Sequence, residues 1–243
     1  MAIPKKIHYC WFGGNPLSKL AKKCIKSWKK YCPDYEIIEW NESNFNVNMN
    51  DYVKKAYAAK KWAFVSDVAR LYALIQQGGI YMDTDMELLK PLDELLTTDG
   101  FAGFDSVPYV SAGILAAKQG HVIFEEILRE YDHVHFYKED GTLDLTPNPV
   151  RITKVCVEHG LVVNNCRQTV SGLTVFPEDW FYPKDWRTHK THFTENSYAI
   201  HHGDASWLTQ EEKNAEKKAR RRAKIRKVFG DKFYNLVKKF FRK

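Results

Sequence analysis

One junction constrains this chain more than any other feature. The stretch Trp62–Gln77 places Phe64, Val65, Val68, Leu71, Leu74 and Ile75 at helical spacing and stops at Gly78-Gly79. It then gives way at once to Ile80-Tyr81-Met82 and Asp83-Thr84-Asp85. The 3.6-residue period predicts a helix, and the paired glycines end it. A short apolar run straight afterwards reads as a buried strand. A helix that turns into a strand within two residues belongs to a layered α/β fold. The junction also delivers two carboxylates to the carboxyl end of a strand, the edge where open α/β sheets bind ligands.

The same alternation precedes the junction. Ile7–Phe12 predicts a strand ending at Gly13-Gly14, Leu17–Tyr31 a helix stopped by Pro33, Tyr35–Trp40 a second strand, and Asp51–Lys60 another helix. Met86–Leu89 is expected to extend the strand that carries the two aspartates, and Pro91 to open a short helix. These elements predict a mainly parallel central sheet flanked by helices. Farther on, strands are expected near Phe101–Phe104, Gly113–Ala117, Leu161–Val163, Thr174–Phe176 and Ala199–His202, with helices at His121–Tyr131 and Val150–His159.

Charge divides the chain into a body, residues 1–208, and a tail, residues 209–243. The tail holds nine Lys and five Arg against four acidic residues, a balance of +10, whereas the body holds 23 basic and 26 acidic side chains. The overall +7 is therefore no sign of a nucleic-acid-binding body, and no nucleic-acid partner is expected. Ile225, Val228, Phe229, Phe233, Leu236, Val237 and Phe240 recur at helical spacing, which predicts a basic amphipathic helical tail of the interfacial kind. Five cysteines without a C-x-x-C pair argue against a disulfide framework or a structural zinc site. Neither a membrane-length apolar run nor a signal-peptide pattern is present, so the expected location is cytoplasmic.

Asp83-Thr84-Asp85 alone is weak evidence, because 15 Asp in 243 positions give about one D-x-D by chance. Its setting at a strand end is more specific. Two carboxylates this close repel each other unless a cation lies between them, and oxygen donors with at most one imidazole suit Mg2+ or Mn2+. A solvated turn with a helix-capping Asp is the other reading. Asp67 and Arg70, at i and i+3 on the apolar helix, are costly there unless they pair or line a site. The alternative for them is an ordinary surface ion pair.

Three blocks in order carry a family resemblance: Ile3-Pro4-Lys5-Lys6-Ile7-His8-Tyr9-Cys10-Trp11-Phe12-Gly13-Gly14, then Ser66-Asp67-x-x-Arg70-x-x-x-Leu74, then Gly78-Gly79-Ile80-Tyr81-Met82-Asp83-Thr84-Asp85. They resemble glycosyltransferase family 32, the D-x-D sugar transferases of bacterial capsule synthesis and fungal mannosylation. The glucosyltransferase domains of large clostridial toxins are more distant relatives. A fourth block, His201-His202-Gly203-Asp204-Ala205-Ser206-Trp207, resembles the family's closing H-x-x-x-S-W element.

The resemblance implies a GT-A fold, a nucleotide-sugar donor, a divalent metal (Mn2+ or Mg2+) and retention of anomeric configuration. It implies that Asp83 contacts ribose and metal, that Asp85 ligates the metal, and that Ser66, Asp67 and Arg70 hold the donor sugar and diphosphate. Trp11 would stack on the base, although a core role competes, and Asn41 would bind base or ribose or else shape a turn. Strand alternation sends His201 and His202 to opposite faces. The spacing to Trp207 in relatives favours His202 as the third metal ligand. Ser206 and Trp207 would donate hydrogen bonds to the diphosphate. The expected activity is transfer of a hexose, from a UDP-sugar rather than a GDP-sugar, to a glycan or lipid-linked oligosaccharide in capsular or surface polysaccharide synthesis. Residues 214–243 would hold the chain against the anionic cytoplasmic face of the membrane. The rival readings are a haloacid-dehalogenase-type phosphatase and a non-catalytic protein that binds nucleotide-sugar or nucleic acid.

Overall fold

The computed structural model describes residues 2–105, 109–185, 188 and 190–204. Ser206, Trp207 and the 209–243 tail, and with them the boundary expected at 208, lie outside the described residues. In chain order the elements begin with β1 (Lys6–Cys10), α1 (Lys19–Tyr31), β2 (Glu36–Trp40), α2 (Asp51–Ala58), α3 (Trp62–Gln77), β3 (Gly79–Met82) and β4 (Met86–Leu88). A 3-10 turn at Asp93–Thr97 leads to β5 (Gly100–Gly103), β6 (Ile114–Ala117), α4 (Val122–Glu130) and α5 (Asn148–Glu158). The hairpin β7 (Gln168–Val170) and β8 (Leu173–Phe176), a 3-10 turn at Glu178–Trp180, and β9 (Ala199–His201) complete the order.

Seven strands form one sheet in the order β2-β1-β3-β6-β5-β8-β7. Five run the same way; β6 and β7 are reversed, so the pairs β3–β6, β5–β6 and β7–β8 are antiparallel. The sheet is mixed, with most strands parallel in direction. Alternation sends Ile80 and Met82 of β3 into the core beneath α1, and Tyr81 into the core beneath α2, α3, α4 and α5. These two apolar layers enclose the sheet. No described helix is long and apolar enough to cross a membrane.

Local chemistry explains the junction. The Gly78 N–H bonds to Leu74 O as α3 ends, and Gly78 and Gly79 adopt φ of 62° and 106°. A Cβ at Gly78 would lie 2.8 Å from Gln119 N, and one at Gly79 would lie 2.9 Å from Lys6 O. Backbone conformation and space both demand glycine. At the other end of the first crossover, Ser18 caps α1 by accepting from Ala21 N, and Ala21, Cys24, Ser27 and Trp28 form its buried stripe.

Two expected elements differ. Met86–Leu88 does not extend β3 but pairs antiparallel with β9 in a separate two-stranded sheet, with Met86 opposite His201. Helix α1 holds it there: Trp28 Nε1 donates to Met86 O over 2.7 Å, and Leu88 N donates to Ser27 Oγ over 2.9 Å. The segment Leu161–Val163 is not a strand. Val162 is exposed, and its N–H and C=O bond the Gln168 side chain instead of a neighbouring strand. The strand lies later, at β7, which turns into β8 through Ser171 and Gly172, both at positive φ. Two such residues form the tight turn that hairpins prefer.

Candidate active site

The site is built where β3 ends and the small sheet begins. Asp83 leaves β3 with its N–H bonded to Gly113 O over 2.8 Å. Tyr81, two residues earlier and on the same strand face, donates its hydroxyl to Asp83 Oδ1 over 2.8 Å. Helix α3 brings Arg70 to the same carboxylate. Its Nη2 lies 3.4 Å from Asp83 Oδ1 and 3.0 Å from Asp67 Oδ1, and its Nη1 donates to Ala112 O over 2.7 Å. The guanidinium also lies 4.6 Å from the centre of the Tyr81 ring. Asp67 and Arg70 are only 7% and 5% exposed, so they are no surface pair. Asn148 supports them from α5, with Nδ2 donating to Asp67 O and Oδ1 accepting from Tyr131.

The pairing of β4 with β9 supplies the third partner. His201 Nε2 lies 3.2 Å from Asp85 Oδ1, and His202 N donates to Asp85 O over 3.0 Å. Asp83, Asp85 and His201 each offer a ligand atom, all within 4.8 Å of one another. His202 is not in this group: its Nε2 lies 2.7 Å from Glu87 Oε2, on the other face of the strand. The expectation of His202 is corrected to His201, because Met86 stands opposite His201 and fixes which imidazole turns toward Asp85. Tyr182 packs edge-on against His201, with ring centroids 5.8 Å apart, and its hydroxyl accepts from Ile114 N.

The charges form a coupled set. Burial pushes Asp67 up to about 6 despite the neighbouring guanidinium, and burial raises Asp83 as well. Burial lowers His201, but the hydrogen bond and charge of Asp85 outweigh it and hold the imidazole above its ordinary value. Asp67 and Asp83 thus share one guanidinium, while Asp85 faces His201. Two carboxylates and an imidazole converging on one point fit a hard divalent cation such as Mn2+ or Mg2+.

The other expected residues fall into two groups. Ser66 sits between Trp62 and Arg70 on α3, its Oγ donating to Trp62 O and its carbonyl accepting from Arg70 Nε. Trp11 is partly buried against the α1 layer and gives its indole N–H to Asn15 O. Asn41 spends its side chain on a turn, accepting from Ser43 and donating to Glu39. Neither lines the cleft of about 590 Å3 beside Gly13 and Gly14, whose walls include Glu42, Tyr57, Lys60 and Trp62. Tyr81, Tyr182 and Asn148 escaped the sequence reading. Only Tyr81 carried a signal, its i, i+2 relation to Asp83.

Residues 18–102 match the family model described as the glycosyltransferase sugar-binding region containing a DXD motif. This region belongs to that family. Over 147 residues the chain is 26% identical to inositol phosphoceramide mannosyltransferase 3 of Schizosaccharomyces pombe, covering 56% of this chain and 39% of that protein. Over 138 residues it is 30% identical to lactosylceramide 4-alpha-galactosyltransferase of Rattus norvegicus, covering 55% and 35%. A mannosyl phosphorylinositol ceramide synthase of Saccharomyces cerevisiae is 25% identical over 222 residues, covering 85% and 55%. The chain spans between about a third and just over half of the length of these relatives. Among solved structures, the PaToxG glycosyltransferase superposes with a TM-score of 0.52 at 20% identity, covering 65% of this chain and 69% of that one. That likeness concerns the fold, which is the GT-A arrangement. The glycosyltransferase match displaces the phosphatase reading.

Proposed function

We propose that this chain transfers a hexose from a nucleotide-sugar donor to a hydroxyl of a glycan or glycolipid acceptor, with retention at the anomeric carbon. The observation that carries this reading is the convergence of Asp83, Asp85 and His201 on one point, with Arg70 and Asp67 buried directly behind it. A divalent cation held by those three side chains, Mn2+ in preference to Mg2+, supplies Lewis acidity toward the donor diphosphate.

The remaining chemistry belongs to the chain. Trp62, Ser66 and Arg70 mark successive turns of one helix, so the cleft at Trp62 lies about 12 Å along the axis from Arg70. That length accommodates a nucleoside diphosphate, with the nucleoside in the cleft and the diphosphate near the aspartates. Asp67 accepts from hydroxyls of the donor sugar. Arg70 orients Asp83 and adds fixed positive charge where the leaving oxygen becomes negative. The acceptor hydroxyl attacks on the face from which the diphosphate departs, and its proton passes to the departing diphosphate oxygen. Ser206 and Trp207 belong to the same proposal as donors to that diphosphate.

The names of the matched relatives specify ceramide-linked acceptors. They support a lipid-linked acceptor for this chain, and the proposal sets that acceptor in surface or capsular polysaccharide synthesis. The proposal includes a UDP-sugar donor and a location at the cytoplasmic face of the membrane, with residues 214–243 against it. A panel of UDP- and GDP-sugars, assayed for nucleotide diphosphate release with Mn2+ and with chelator, tests the reaction. Release from one donor class that stops with chelator is expected. No release from any donor, together with no metal-dependent thermal shift by UDP or GDP, would overturn it.

A further inference from the structure

Helix α1 concentrates charge in a way the transfer reaction does not use. Lys19, Lys22, Lys23, Lys26, Lys29 and Lys30 are all exposed, and the helix carries no acidic residue. The 1–208 segment holds 23 basic and 26 acidic side chains, so removing these six leaves 17 against 26. One helix therefore gathers six of the 23 basic side chains of residues 1–208 on its exposed side. Only Lys23 makes an ion pair with a described residue, placing Nζ 2.7 Å from Glu87 Oε2. An open groove of about 440 Å3 runs along Lys23, Lys26, Lys29 and Lys30.

We propose that this lysine face docks the body onto an anionic lipid bilayer surface. The chemistry of the face selects that partner. Its cations are all lysines, strongly hydrated point charges without the planar fork that reads individual phosphates or carboxylates. Of its two aromatic rings, Trp28 is fully buried, and Tyr31, half-buried at the helix end, is covered by Lys30, whose Nζ lies 4.6 Å from the ring centre. Leu20 and Ile25 are partly buried against the core, so the face adsorbs by charge rather than by inserting apolar groups. Its 13 residues span about 20 Å, which lets several lysines meet a flat surface together. The segregated charge orients the body as it approaches. Glu87, which contacts both Lys23 and His202, lies two residues beyond Asp85, so the docked face borders the cation site.

The test uses the full chain and reads vesicle binding, which needs no sugar transfer and so stands apart from the proposed reaction. Vesicles of phosphatidylcholine with about a third phosphatidylglycerol are compared with pure phosphatidylcholine at about 0.1 M and about 0.5 M salt. The triple variant Lys22→Gln/Lys26→Gln/Lys29→Gln should lower partitioning to the anionic vesicles at least about tenfold at low salt. Its thermal midpoint and its nucleotide release in solution should match the wild type. A control with the same charge loss elsewhere, Lys54→Gln/Lys138→Gln/Lys190→Gln, should bind as the wild type does. Wild-type binding by the α1 variant, or an equal loss in the control, would overturn the proposal. Retained vesicle binding with lost affinity for a soluble acidic polysaccharide would reassign the face to a glycan.

Discussion

The indole N–H of Trp28 donates to the main-chain carbonyl of Met86 over 2.7 Å, inside the contact between α1 and β4. Met86 directly follows Asp85 and stands opposite His201, so this bond, together with that from Leu88 N to Ser27 Oγ, anchors the strand whose pairing assembles the cation group. Trp28→Phe keeps most of the packing and leaves the Met86 carbonyl without its donor. A stability loss of about 1–3 kcal/mol is expected. The Mn2+ concentration needed for nucleotide binding should also rise several-fold. Denaturant titration and metal-dependent thermal shift measure the two effects, and an unchanged Mn2+ requirement would uncouple α1 from the site.

Asp85→Asn keeps the side chain's volume and removes the charge that faces His201. Metal-dependent nucleotide binding should fall by about two orders of magnitude, while the thermal midpoint stays near that of the wild type. Transfer at near wild-type rates in limiting Mn2+ would remove Asp85 from the metal site.

The two histidines predict opposite phenotypes. His201→Ala should raise the Mn2+ requirement about tenfold or more, whereas His202→Ala, which loses only its contact with Glu87, should change it little. Titrating Mn2+ against nucleotide release decides between them, and the reverse ranking would restore His202 as the ligand.

Arg70→Lys retains a positive charge but not the geometry. One guanidinium reaches Asp67, Asp83 and the Ala112 carbonyl at once, a set that an ammonium group cannot match. Turnover should drop by about a hundredfold at saturating donor and metal. An intact kcat would return the Asp67–Arg70 pair to a purely structural role.

His8 supplies a pH dependence away from the site. It is fully buried, accepts at Nδ1 from Trp40 and donates from Nε2 to the Gly78 carbonyl. The bond accepted at Nδ1 requires the neutral ring, and burial lowers its pKa from 6.5 to about 4. The unfolded chain therefore takes up the proton first. Stability from His8 is complete above about pH 6.5 and is lost as the pH falls toward 4, by about 3 kcal/mol in total. Between pH 7 and pH 5, His8→Gln should show a shallower fall in unfolding free energy than the wild type. Equal slopes in the two proteins would exclude this role.

Local pattern carried much of the fold into view. Trp62–Gln77 has the same bounds in prediction and structure, because its apolar period and the Gly78-Gly79 stop are both written into adjacent residues. Asp67, Arg70, Asp83 and Asp85 lie together, since two of them share a helix face and two follow one strand. The errors lie in non-local pairing. Nothing in Met86-Glu87-Leu88 says that its partner is β9 rather than a continuation of β3, and strand alternation separates His201 from His202 without saying which face is which. Trp11 and Asn41 sit at plausible strand ends. Their polar atoms are taken by Asn15, Ser43 and Glu39 within a few residues, and such local competition cannot be read from residue type alone.

The pairing of β4 with β9 also orders events in time. Asp83 and Asp85 leave the ribosome early, whereas the imidazole that joins them arrives on the last described strand. The two carboxylates are therefore synthesised before the imidazole beside them, and the group is complete only once β9 has paired with β4. A cation bound there in the proposed reaction would tie the last described strand to the end of β3, and so act as a late latch on the body.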